Sequence, residues 1–118
     1  MENTLAQSVY TLDEYGISQE VTVVFGTYIR GFTLSVSLYT RPSGSDSFTE
    51  LYDVITVNFP ESENLAHDTQ FVDVNNHPHI EEWLVNNHIA EPTGQCLRSG
   101  YCRYPAYRFF ILSRILNT

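Results

Sequence analysis

The sequence contains no lysine; all six of its basic residues are arginines. Ordinary usage would place about seven lysines in a chain this long, and the base composition of the gene is the plainest explanation for the gap. Acids are missing from one end: none follows Glu91. Apolar runs are short, with nothing near the roughly 18 residues a spanning helix needs. The opening MENTLAQSVYTLDEYG has neither the basic nor the apolar region of a secretory signal, so a cytoplasmic protein is expected. No G-x-S-x-G, Walker loop or G-x-G-x-x-G occurs. Nothing in the sequence therefore points to an enzyme, and no cofactor is implied.

What is present suits one compact domain over residues 1–118. The hydrophobic fraction is 42% and aromatics make up 14%, enough for a core without metal or disulfide staples. Fourteen acids against Arg30 and Arg41 give residues 1–91 a charge of −12. Arg98, Arg103, Arg108 and Arg114 give residues 92–118 a charge of +4, and the net is −8. Such a surface repels phosphates and attracts basic surfaces, so no direct nucleic-acid binding is expected.

Period-two patterning dominates. SVYTLDEYG supplies a first strand ending at Gly16. In EVTVVFGTYI, Val21, Val23 and Phe25 share a face; in GFTLSVSLYT, Phe32, Leu34, Val36 and Leu38 do. RPSGSDS is a loop. In FTELYDVITVNF, Leu51, Ile55, Val57 and Phe59 are in phase, and Asp53 breaks the phase, which predicts a bulge or an edge there. PESENLAHD reads as a polar connection and TQFVDVNN as a short strand. HPHIEEWLVNNH predicts a helix over about 78–88, with Pro78 in its first turn, a cap from Asn75, Asn76 or His77, and Ile80, Trp83 and Leu84 on one face. AEPTG reads as a turn, and AYRFFILSRIL as a final strand, apolar on both faces and hence central or covered on both sides. The expectation is an α+β fold: an antiparallel sheet of about five strands with one helix packed on it.

Three groups of residues are candidates for chemistry or binding. Cys96 and Cys102 are spaced C-x5-C, not the C-x2-C of zinc ribbons. With His77 and His79 they can be drawn as a zinc set, or paired as a disulfide; two free thiols are the favoured reading, and capping explains histidines that flank Pro78. No metal is expected. Arg98, Tyr101, Arg103, Tyr104, Tyr107 and Arg108 interleave basic and aromatic residues, a pattern that can clamp nucleic acid; the favoured alternative is internal pairing of the arginines with the acidic segment. Glu61, Glu63, Asp68, Asp73, Glu81, Glu82 and Glu91 fall within 31 residues. On one side of the fold they would imitate a row of phosphates; otherwise they are a solubilising face.

Residues 71–110 carry a recognisable string: Phe71-Val72-Asp73 with Asn75-Asn76, then Trp83, Pro92-Thr93-Gly94, Ser99-Gly100 with Cys102, and Tyr104-Pro105 with Tyr107 and Phe109. It resembles an uncharacterised family of short bacterial proteins associated with plasmids, conjugative elements and phage-like regions. The resemblance implies accessory cargo of a mobile element in a bacterial host, and no established activity. Together with the charge it sets the expectation of a small acidic inhibitor of a host defence nuclease, anti-CRISPR-like, occluding a basic groove of a CRISPR effector or restriction enzyme. The alternative is a non-inhibitory adaptor module. The shared residues Asn75, Asn76, Trp83, Gly94, Gly100, Cys102, Tyr104, Pro105 and Tyr107 read as determinants of the fold, with GQCLRSGYCRYP as a shaped turn in which Gly94 and Gly100 allow positive φ.

Overall fold

The computed structural model describes residues 8–111. They form mostly antiparallel sheet with a single α-helix, roughly α+β, but with eight strands in two four-stranded sheets where about five strands in one sheet were expected. The first sheet has the order β1 (Tyr10–Glu14), β2 (Ile17–Thr27), β3 (Leu34–Thr40), β4 (Glu50–Val54). The second comprises β5 (Thr56–Val57), β6 (Thr69–Val72), β7 (Ala90–Ser99) and β8 (Cys102–Phe109), in the order β5-β6-β8-β7. A 3₁₀ turn at Pro60–Asn64 and the helix α1 (Ile80–Asn86) complete the described elements.

The alternation in β3 behaves as its sequence dictates: Leu34, Val36 and Leu38 are buried, and they pair across β2 with Thr27, Phe25 and Val23. Phe32 departs from the expected face. It lies in the β2–β3 turn at φ 53° and is 80% exposed. The phase break at Asp53 is a real bulge on an edge strand. Leu38 pairs with Asp53 and Tyr39 with Leu51, which leaves Tyr52 as the extra residue. Leu51 is exposed in consequence, while Ile55 is fully buried.

Ile55 is where one strand serves both sheets. Its N–H donates to Val36 of β3 at 2.9 Å, and its carbonyl accepts from Asp73 beside β6 at 2.9 Å. Once β4 has left β3, the backbone of β3 needs new partners, because a buried peptide group without one is costly. Side chains of the second sheet supply them. Thr56 Oγ1 accepts from Val36 N at 3.1 Å, and Gln70 Nε2 donates to Leu34 O at 2.9 Å. Gln70, wholly buried, also accepts from Ser62 Oγ at 2.7 Å and from its neighbour Phe71 N at 2.9 Å.

The helix is shorter than expected. Pro78 lies before it, and the cap position is His79, with no side-chain cap bond. Asn75, Asn76 and His77 have other tasks. Its end is well specified: His88 takes φ 55°, His88 N donates to Val85 O at 3.1 Å, and Ile89 N donates to Leu84 O at 2.9 Å. This is a Schellman stop, and the accompanying apolar contact falls on Leu84 and Ile89, both fully buried. The C-terminal strand pair also differs from expectation. AEPTG is no turn; it opens β7, where Pro92 sits on an edge strand and Gly94 (φ 89°) lies in a bulge between the pairs Pro92–Tyr107 and Cys96–Pro105. The turn of GQCLRSGYCRYP is Gly100-Tyr101, with Gly100 at φ 63°. β8 is central and covered on both faces. Tyr107 and Phe109 belong to the main core, while Tyr104 and Phe71 pack against Phe59 on the other side. The part of AYRFFILSRIL from residue 112 onward lies outside the described residues.

Gln70→Leu should cost about 3 kcal/mol or more, since the Leu34 carbonyl and the Ser62 hydroxyl each lose a buried partner worth about 1–3 kcal/mol. Urea denaturation of the two proteins measures it; equal midpoints would show that the sheet junction does not depend on this side chain.

Candidate functional site

The densest polar cluster of the described structure is built by three separate segments. Glu14 ends β1, immediately before the two-residue turn Tyr15-Gly16, whose φ values are 52° and 77°. Both angles are left-handed, as a type I′ hairpin requires, and tyrosine is an expensive occupant of the first position. Its hydroxyl donates to the carbonyl of Asn76, which fastens the strained turn to the loop before α1. The bulge in β4 brings Tyr52 and Asp53 to the same place. The third segment is the loop 73–79. Asp73 accepts from Asn76 N at 3.2 Å and from Asn76 Nδ2 at 2.7 Å, and Asn75 Nδ2 donates to Arg103 O at 3.1 Å. The Phe-Val-Asp-x-Asn-Asn string is therefore the scaffold that delivers the next residue, His77.

His77 is 3% exposed. Its Nδ1 is 2.8 Å from Glu14 Oε2 and its Nε2 is 2.8 Å from Asp53 Oδ2. The Tyr52 hydroxyl donates to Glu14 Oε1 at 2.7 Å. An imidazole with both nitrogens against carboxylates must donate from both, so the ring is an imidazolium. Burial pushes its pKa down, but the hydrogen bonds and charges of Glu14 and Asp53 outweigh this and hold it above the usual 6.5. Tyr52 is pushed up to about 12, by burial first and then by Glu14, so it remains a donor at any physiological pH.

This cluster closes the first sheet upon itself. Glu14 lies opposite Ile17 on β2; Asp53 lies opposite Leu38, which is opposite Val23 on β2. On a flat lattice the offset from residue 17 to 23 is about 20 Å along the strands, and crossing from β1 to β4 adds about 14 Å. One imidazole nevertheless touches both carboxylates. The sheet is coiled along that diagonal, as twisted sheets are, and His77 pins its two edge strands together.

The geometry argues against acid–base chemistry at the cluster. A general base needs a free nitrogen, and both are engaged. Among the described residues no serine or cysteine makes a hydrogen bond to the ring. Among the described residues no group of three or more His, Cys, Asp or Glu is arranged to hold a metal. His79, by contrast, is exposed and borders three hollows on the outer side of the cluster.

The seven carboxylates singled out from the sequence do not form one row. Glu81 accepts from Arg103 at 2.5 Å and from the Tyr107 hydroxyl at 2.7 Å. That contact, together with burial, raises the Tyr107 phenol, burial being the larger cause. Arg108 lies between Glu91 at 2.9 Å and Asp68 at 3.5 Å, and Asp73 is held in its own turn. Glu61, Glu63 and Glu82 have no ion pair among the described residues. Two arginines of the basic–aromatic cluster, Arg103 and Arg108, are thus consumed internally, and Tyr107 is buried. Cys96 and Cys102 are free. Strand alternation places them on opposite faces of the β7–β8 pair, since Cys96 shares a face with Arg98 while Cys102 lies opposite Ser99. Trp83 donates from its indole N–H to Thr11 O at 2.8 Å and meets Tyr10 edge-on.

Glu14, Tyr52 and Tyr15 are the residues sequence reasoning missed, and His77 was assigned to a cap. The one local signal was the Asp53 phase break, an acid at a core-facing position.

Because the folded pKa of His77 is raised, its contribution to stability is complete below 6.5 and is lost as pH rises through the folded value. Wild-type stability should therefore fall with rising pH above 6.5 relative to His77→Gln, whose own slope in that window should be flatter. At pH 6 the variant should be about 3 kcal/mol or more less stable, because it strands the buried Glu14 carboxylate. Denaturant midpoints across pH test both; parallel curves would remove the charged ring from the account.

No curated protein and no solved structure matches the chain. Residues 13–117, nearly the whole length and both sheets, match the family model described as Domain of unknown function (DUF4313), and the chain belongs to that family.

Proposed function

We propose that this protein is a non-enzymatic binding protein that engages a protein partner with a basic surface, and that in its bacterial host it acts as accessory cargo of a mobile element. The observation that carries the reading is how charge is spent. Arg41, Arg103 and Arg108 each pair with acids of the same chain, whereas Asp13, Glu50, Glu61, Glu63 and Glu82 have no ion pair among the described residues. The outward surplus is negative, and a negative surface steers and orients basic partners. The finer reading is that the partner is a defence nuclease, a CRISPR effector or a restriction enzyme, whose nucleic-acid groove is occluded. Its support is the net −8 and the resemblance of residues 71–110. The alternative, an adaptor that binds without inhibiting, shares the same surface.

The test is inhibition of a panel of CRISPR effectors and restriction enzymes at micromolar protein. Inhibition should weaken steeply between low and moderate salt. It should be abolished by Glu61→Lys, Glu63→Lys and Glu82→Lys together, with the thermal midpoint changed little. Glu81 is left out of the set because it ties α1 to β8. Absence of inhibition across the panel would sink the nuclease reading.

A further inference from the structure

We propose that the cleft between β1 and α1 receives an arginine side chain from the protein partner. The inference rests on the reading of this chain as a binding protein, and not on the identity of the partner. The cleft has a volume of about 220 Å³, and its lining includes Asp13, Glu14, His79, Glu82 and Trp83. That is below the roughly 300–1,000 Å³ of sites that enclose drug-sized ligands or cofactors, and suits one long side chain. Beside it, a more open hollow of about 480 Å³ runs along the hairpin Asp13–Ser18. There Tyr15 and Ile17 are exposed by 71% and 62%, an apolar bed for the flanking residues of the same partner segment.

The chemistry of the lining selects the occupant. Asp13 from the strand and Glu82 from the helix both line the cleft, and neither has an ion pair among the described residues. Their neighbours in the chain are paired: Glu81 holds Arg103, and Glu14 holds His77. The same lining includes an aromatic ring that is already fixed. Trp83 is tied through its indole N–H to the Thr11 carbonyl and braced by Tyr10, with ring centroids 5.9 Å apart at 74°. A preset aromatic costs no ordering on binding. An indole with flanking carboxylates suits a planar guanidinium, which stacks on the ring and donates to carboxylate in a fork, better than it suits an ammonium. Phosphate groups are repelled by the same acids, which excludes a nucleotide here.

The chain has one tryptophan, so the occupant reports itself. The probe is an acetylated, amidated pentapeptide with two arginines, compared at low salt with the same peptide carrying citrulline, which keeps the shape and removes the charge. The arginine peptide should change Trp83 fluorescence saturably and shift the single indole N–H resonance. The citrulline peptide should do neither. Asp13→Asn with Glu82→Gln should weaken binding about tenfold, the loss of two charge-assisted contacts, while Asp46→Asn, at an exposed acid of the loop between β3 and β4, should leave it unchanged. No saturable change in either readout, an equal response to citrulline, or undiminished binding by the Asp13/Glu82 variant would each overturn the proposal. Nuclease inhibition is read separately. Inhibition without peptide binding removes this cleft and keeps the function; peptide binding without inhibition does the reverse.

Discussion

The fold depends on one buried cation between two carboxylates. Glu14 and Asp53 come from opposite edges of a four-stranded sheet and converge on a site where Glu14 is almost fully enclosed. Two carboxylates that close to each other repel, and a buried charge without a partner is very costly. Something positive has to sit between them. The chain has no lysine, and an arginine would present five donors to a space that needs two. A protonated imidazole has two N–H groups at opposite sides of a small ring, which is what the geometry asks for. The strained Tyr15 turn, the Tyr52 bulge and the Asp73–Asn76 turn are the local arrangements that let this contact form.

A second constraint runs through Ile55. A strand that leaves one sheet for another exposes the backbone of the neighbour it abandons. Here Thr56 and Gln70 replace the lost ladder bonds with side-chain ones. Burying an amide such as Gln70 is tolerable only because both its donor and its acceptor ends are satisfied. The first sheet is therefore closed by charge at one corner and by neutral hydrogen bonds at the other. The two respond differently to pH, because only the charged corner titrates.

Much of this was legible in the sequence where it depends on neighbours in the chain. The alternation of β3, the loop after Thr40, the bulge at Asp53 and the central position of β8 all follow from local pattern. What failed was of two kinds. Pro92 and Gly94 signal a turn by their residue types, yet edge-strand placement and a bulge accommodate both within β7, and the expected single strand FTELYDVITVNF switches at Ile55 from one sheet to the other. His77 was read as a helix cap because Pro78 follows it. Its true partners lie 63 and 24 residues away, and no periodicity connects positions that meet only after the sheet coils. The string Phe71–Asn76 was legible as a signature; that it is the mount for His77 was not.

The same pairing logic bears on function. Two arginines of the C-terminal segment, Arg103 and Arg108, are matched to Glu81, Glu91 and Asp68, and with Arg41 on Glu20 the fold pairs three of its five described arginines within itself. A chain that needed only solubility could scatter its surplus acids anywhere, since solubility follows net charge and not arrangement. Recognition makes a stricter demand: unpaired carboxylates beside a rigid apolar surface that excludes water. Asp13 and Glu82 meet that demand through Trp83, which is fixed by a bond to β1. Glu61 lies outside the Trp83 cleft, on the 3₁₀ turn. The distinction between an acid that only steers a partner and one that also seats its side chain is thus written in what stands next to it, and it separates two carboxylates of this chain that charge counting alone treats as equal.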